Sequence, residues 1–121
     1  PDASYVASVD ATGRWRGAST DVSAILARAH VLVLGSIWAE NAPLIVLEAR
    51  ARSVPIVAPR IGGLPELITE SRDGWLYEAG NPVDLARCLR LANDSAAMDI
   101  SPPPTLAQHV DHLMSHYARV W

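Results

Sequence analysis

The chain has 121 residues, half of them apolar, and a net charge of −3 with acids and bases interspersed. That is enough apolar material for one compact domain with a core, and neither a basic patch for nucleic acid nor a like-charge tail stands out. The longest apolar run, "HVLVLGSIWA", is far shorter than the roughly 20 residues of a membrane span, and the single Cys88 excludes an internal disulfide and fits a reducing compartment.

In chain order, "PDASYV" lacks the basic-then-apolar pattern of a signal peptide. The chain starts at Pro1 without Met, and the expectation is a piece of a longer polypeptide. "SYVASV" is short and β-branched and reads as a strand. "DATGRWRGAST" is turn-rich, with Arg14 and Arg16 as a solvated pair. Ser19, Thr20 or Asp21 then offers a cap for "DVSAILARA", where Val22, Ile25, Leu26 and Ala29 recur at helical spacing. "HVLVLG" is a continuous apolar run ended by Gly35, the pattern of a strand buried on both faces of a parallel sheet. "SIWAENA" is a loop. Pro43 suits the first position of the next helix, where its missing N–H costs nothing. "PLIVLEARARS" is long enough for three turns and stops at Pro55.

"PIVAP" reads as a second buried strand. "RIGGLPELITESRDG" holds a glycine loop, a short helix from Pro65 and a turn at Asp73-Gly74. "GWLYEAG" reads as a third strand. "NPVDLARCLRLAND" is a helix capped by Asn81, with Pro82 first and Leu85, Cys88, Leu89 and Ala92 on its face. "SAAMDISPPP" breaks the regularity. Residues 105–121 form an amphipathic C-terminal helix with Leu106, Val110, Leu113, Met114 and Tyr117 on one side. Strands alternating with helices imply an α/β, Rossmann-like domain with a mostly parallel sheet.

In such sheets ligands sit beyond the carboxyl ends of the strands. Two loops qualify, "GSIWAENA" and "PRIGGLPE". The first runs into a helix N-terminus at Pro43, where free N–H groups and the helix dipole favour an anion. Leu44, Ile45, Val46 and Leu47 cover nearly every direction of that helix, so Glu48 is expected to be buried, and a buried carboxylate needs a partner. Its partners are ligand hydroxyls in one reading and Arg50, Arg52 or another arginine in the other. The residues alone leave both open. Glu40 is either a solvated loop acid or a ligand contact. Trp38 shares its loop. Gly62-Gly63 permits positive φ and close backbone approach. Glu66 has the spacing to cap the short helix or bond the loop backbone. Arg60 lies in the second loop and reads more as a surface arginine than as a phosphate ligand. His109, His112 and His116 fall at helical spacing, but no acid or cysteine cluster joins them, so they read as surface residues. Cys88 reads as core.

The blocks "SIWAENAPLIVLEA", "VPIVA", "IGGLPELI", "DGWLY" and "NPVDLA", in that order, resemble the carboxyl-terminal domain of family-4 retaining glycosyltransferases. These enzymes have the GT-B architecture of two facing Rossmann-like domains. "WRG" and "DVSAILARAHVLVL" resemble the segment before the motif, so the resemblance spans about residues 15–93.

The resemblance implies that residues 1–121 are one donor-binding domain of a two-domain enzyme, one half of a GT-B fold. The donor is a nucleotide-diphosphate sugar, transferred with retention. Glu48 then binds the ribose, and Glu40 contacts hydroxyls of the donor sugar near the reacting carbon. Backbone around Asn41, Ala42, Pro43 and Leu44 lines the sugar and diphosphate, although Pro43 has no N–H to give. No metal and no separate cofactor are implied. The acceptor, a sugar or lipid, belongs to an N-terminal domain absent from this stretch. The implied setting is polysaccharide or glycoconjugate synthesis in the cytoplasm, extending to the inner membrane face.

Three positions depart from the pattern: Gly35-Ser36 for Pro-Ser, Glu40-Asn41 for Glu-Gly, and Ser53 for a glycine at the helix end. The family's basic diphosphate residues lie upstream of this stretch. The competing reading is a non-catalytic α/β nucleotide-sugar-binding or interaction module. A sugar-nucleotide epimerase fits the paired glutamates less well.

Overall fold

The structure is a computed structural model that describes residues 17–95 and 98–120. The expected strand at "SYVASV" and the pair Arg14 and Arg16 lie outside these residues. The elements run α1 (Val22–Leu26), β1 (Leu32–Val33), α2 (Leu44–Arg50), β2 (Ile56–Pro59), α3 (Leu64–Leu67), β3 (Gly74–Tyr77), α4 (Pro82–Asp94) and α5 (Leu106–Val120). The three strands form one sheet in the order β1-β2-β3, all parallel. The register puts Leu32 opposite Ile56 and Val57 opposite Trp75.

The two-residue period of the strands separates two cores. Ile56, Ala58 and Leu76 point to one face, where Leu26, Val46, Ala49, Leu64 and Ile68 of the α1–α3 side pack on them. Val57, Trp75 and Tyr77 point to the other, where Cys88 of α4 packs with Leu85 and Ala92 beside it. The result is the expected three-layer α/β domain, and β2 and β3 are buried at every position. Burying an aliphatic side chain as fully as Ile56 or Val57 stabilises the fold by about 1.5–3 kcal/mol.

Helix starts follow the local chemistry. The Asp21 carboxylate accepts the Ala24 N–H at 2.9 Å. Asn81 Oδ1 accepts the N–H groups of Val83 and Asp84 at 3.0 and 3.1 Å, with Pro82 in the first turn as expected. Thr105 and Gln108 cap α5 reciprocally: Thr105 N–H donates to Gln108 Oε1 and Gln108 N–H to Thr105 Oγ1.

Several expectations are corrected. β1 is not buried on both faces, since Val33 is 42% exposed. Among the described residues β1 is an edge strand, so one side lacks cover. In α1, Leu26 is buried but Ile25 is exposed, because the helix is only one turn and a half long. α2 spans seven residues rather than three turns, and Pro43 is its N-cap rather than its first residue. The chain leaves α2 through a turn in which Ser53 takes φ 55, a left-handed conformation, and the Val54 N–H returns to the Ala49 carbonyl at 2.9 Å. The stop thus comes before Pro55. The short helix begins at Leu64, one residue before Pro65. Leu89 stays partly exposed on α4.

Arg50 ties the segment before α5 to the domain, donating from Nε to the Ser101 carbonyl and from Nη1 to the Leu67 carbonyl. α5 itself buries no residue, and its apolar side is uncovered by the described residues. Among these residues no helix is long and apolar enough to cross a membrane.

Candidate functional site

The carboxyl ends of β1 and β2 open into the two loops singled out by the sequence, and the structure brings these loops into backbone contact. The β1 loop is first pinned to the sheet. Leu34 N–H donates to the Val57 carbonyl at 2.9 Å, and the buried Tyr77 hydroxyl reaches across to the Leu34 carbonyl at 2.8 Å. Burial pushes the Tyr77 phenol up, so it stays a hydroxyl donor at neutral pH.

Further along, the Gly63 N–H donates to the Glu40 carbonyl at 2.8 Å. A Cβ on Gly62 would lie 2.3 Å from that same oxygen, and one on Gly63 would lie 2.0 Å from the Asn41 carbonyl oxygen. Gly62 also holds φ 58. Both glycines are therefore required by close approach, and Gly62 by conformation as well.

Glu40 is half-buried in this junction, and its carboxylate accepts the Ser36 hydroxyl at 2.6 Å. Sequence reasoning passed over Ser36. It met Ser36 only in the Gly35-Ser36 departure from the family's Pro-Ser and gave it no role, although a hydroxyl stands four residues before the acid within one loop. Asn41 and Ala42 are exposed and Pro43 is half-buried. No backbone hydrogen bond to the N–H groups of Leu44 and Ile45 is formed among the described residues, as at any helix start without a side-chain cap. Ile37 and Trp38 in the same loop and Leu44 at the start of α2 are 74%, 65% and 72% exposed, so among the described residues the candidate site has an open, apolar rim.

The expected burial of Glu48 is wrong. Glu48 is exposed, because α2 turns only Val46 and Ala49 fully into the core while Leu44 and Glu48 look outward. Four aliphatics in a row do not bury a short helix that packs on one side only. Neither Arg50 nor Arg52 pairs with the Glu48 carboxylate; Arg52 bonds its backbone carbonyl and the Ser23 hydroxyl. Leu44 and Glu48 are four residues apart and share a face. Side chains on a helix lean toward its N-terminus, so Glu48 leans toward the loop that carries Glu40.

Among the described residues the buried acid is Asp73, at 1% exposure, which the sequence presented only as a turn residue. Burial would push its carboxyl up, but Arg72 and the Thr69 N–H outweigh this and hold it below the ordinary carboxylate value. Asp73 lies at the amino end of β3, away from the loops, and its role is structural.

Arg60 pairs with Glu70 at 2.8 Å, and that pairing holds the Glu70 carboxyl below its ordinary value. Glu66 is exposed and its side chain forms no hydrogen bond with the described residues, so the capping expected of it is not made. Cys88 is fully buried, as expected, and burial pushes its thiol up. His109, His112 and His116 are exposed on α5, with the last two rings 4.7 Å apart, and no cluster of three metal-binding side chains occurs among the described residues.

The site so described is a parallel α/β sheet with two loops meeting at its strand ends, an acid at their junction and a second acid on the following helix. The chain belongs to the group 1 glycosyl transferases, whose family model matches residues 3–94. It is 34% identical over 83 residues to the D-inositol 3-phosphate glycosyltransferase of Streptomyces avermitilis, covering 69% of this chain and 18% of that protein. It is likewise 34% identical over 79 residues to the N-acetyl-alpha-D-glucosaminyl L-malate synthase of Bacillus anthracis, covering 64% and 20%. It is 36% identical over 78 residues to a sulfoquinovosyl transferase of Arabidopsis thaliana, covering 64% and 15%. The chain thus spans a fifth or less of the length of these relatives.

Proposed function

We propose that this chain is the donor-binding part of a retaining glycosyltransferase that takes a sugar from a nucleotide-diphosphate sugar. The observation that carries the reading is the junction of the Glu40 loop with Gly62-Gly63 at the carboxyl ends of β1 and β2, in a chain of the group 1 family. Within it, Glu40 accepts hydrogen bonds from hydroxyls of the transferred sugar. Glu48 accepts them from the ribose, for which its exposure on the loop-facing side of α2 leaves it free. The backbone amides of Asn41, Ala42 and Leu44 face the diphosphate, with Pro43 shaping the turn into α2.

When the bond from the sugar to the diphosphate breaks, the nucleoside diphosphate leaves with the electron pair. Donors fixed in advance stabilise that charge without reorganising. The acceptor hydroxyl forms the new bond on the same face of the sugar and gives its proton to the departing diphosphate. No dedicated metal takes part. The acceptor, a sugar or lipid, is held by a further domain, for which the exposed rim of Ile37, Trp38 and Leu44 provides one wall of a cleft. The setting is the cytoplasm, extending to the inner membrane face, in the synthesis of a polysaccharide or glycoconjugate.

The test is calorimetry on the full native chain with UDP, GDP and their sugars, joined to donor turnover. Glu48→Ala weakens nucleoside diphosphate binding about 10- to 100-fold, the effect of losing hydrogen bonds to a charged group. Glu40→Ala leaves that binding intact and removes turnover. No heat with either nucleotide, together with unchanged turnover in Glu48→Ala, would sink the proposal in favour of a non-catalytic module.

A further inference from the structure

We infer that Ser36 is a positioning residue for Glu40: its hydroxyl fixes the carboxylate so that the unbonded oxygen is presented to the donor sugar. The inference rests on the donor-contact reading of Glu40 above. Its geometry is independent of that reading.

Ser36 stands two residues beyond Leu34, the point where the β1 loop is pinned to the sheet through Val57 and Tyr77. Its half-buried side chain therefore sits close to a pinned point of the loop. From there it donates to Glu40 Oε1 at 2.6 Å, the short distance of a hydroxyl on a charged acceptor. The Glu40 backbone is held separately, through its carbonyl, by the Gly63 N–H at 2.8 Å. Glu40 is thus fixed at its carboxylate from within its own loop and at its main chain from the Gly62-Gly63 loop.

A carboxylate offers about four acceptor positions over two oxygens, so one bond to Oε1 leaves Oε2 and its lone pairs for ligand hydroxyls. Without the Ser36 bond the Glu40 side chain regains rotamer freedom that the bond had removed. Nothing about the loop's own folding needs this bond: Leu34, Glu40 and Gly63 are held through backbone groups. The hydroxyl acts on where the carboxylate points.

The experiment uses the full native chain with whichever of UDP-glucose, UDP-N-acetylglucosamine or GDP-mannose calorimetry finds to bind, and reads release of the nucleoside diphosphate. Ser36→Ala is expected to lower kcat about 10- to 100-fold, the scale of a misplaced contact group. Affinity for the bare nucleoside diphosphate and the melting temperature stay at their original values. Ser36→Thr, which keeps the hydroxyl, restores turnover. Wild-type kcat in Ser36→Ala overturns the inference, as does a threonine variant no better than alanine. If the alanine variant fails to fold, Ser36→Cys, close in size but a weak donor, decides instead. Reduced kcat in it supports the inference and unchanged kcat overturns it. Glu40→Ala separates the two levels. If it leaves turnover unchanged, the reading of Glu40 itself fails and the inference falls with it. If it removes turnover while Ser36→Ala does not, only the Ser36 inference falls.

Discussion

Replacing Gly63 by alanine tests the loop junction most directly. The added Cβ would stand 2.0 Å from the Asn41 carbonyl oxygen and 3.0 Å from its carbon. Ordinary carbon–oxygen contacts lie at about 3.3–3.6 Å, so the two loops must part by more than 1 Å. Gly63 has φ −82, which alanine adopts freely, so the whole effect is steric. The opposing atoms are backbone and cannot rotate away. The same displacement breaks the Gly63 N–H bond to the Glu40 carbonyl, worth about 1 kcal/mol net. Forced packing adds about 1–3 kcal/mol, for a total of about 2–4 kcal/mol. In a chain of this size that lowers the melting temperature by roughly 10 °C.

Donor turnover in the full native chain falls about 100-fold as well, because the Glu40 loop is the part displaced. Gly35→Ala is the control, since its Cβ meets nothing within 4 Å. It is expected to be neutral or slightly stabilising, by reducing the freedom of the unfolded chain. Thermal melts and donor turnover of both variants decide the matter. A Gly63→Ala protein that melts and turns over like the original refutes the loop-contact argument.

Two further outcomes follow from single residues. Ser53→Gly is expected to raise stability by about 0.5–1 kcal/mol in urea melts, because left-handed backbone costs a residue with a Cβ about 1–2 kcal/mol and glycine gives part of that back as chain entropy; a loss of stability would contradict the strain assigned to Ser53. Asp73 gives the stability an acid limb. Its folded-state value lies below the ordinary 3.8, so its contribution is fully present above that pH and is lost as the pH falls through the folded value. Asp73→Ala, which leaves the Thr69 N–H without its partner, costs about 1–3 kcal/mol at neutral pH. It also flattens the fall in stability between pH 4 and the folded value, seen in chemical melts at a series of pH values; an unchanged acid limb would place the titrating group elsewhere.

The sequence alone determined the layer plan and singled out the two loops that meet at the candidate site. Apolar runs bounded by Pro and Gly marked β2 and β3, Asn81-Pro82 marked the start of α4, and the ordered blocks from Ser36 to Ala86 marked the family. These are local signals, carried by neighbours a few residues apart, and tertiary packing agreed with them. What local signals could not decide was exposure. Glu48 followed four aliphatics and read as buried, yet α2 packs on one side only and turns it outward. Asp73 read as a turn acid, yet the fold closes over it and supplies Thr69 and Arg72. The same holds for the junction: Glu40 and Gly63 are 23 residues apart in sequence, and only the parallel pairing of β1 with β2 brings their loops together. A one-dimensional pattern fixes which residues share a strand or a helix face. Which face is covered, and which loops touch, depends on elements distant in the chain, and that is settled only when the sheet assembles.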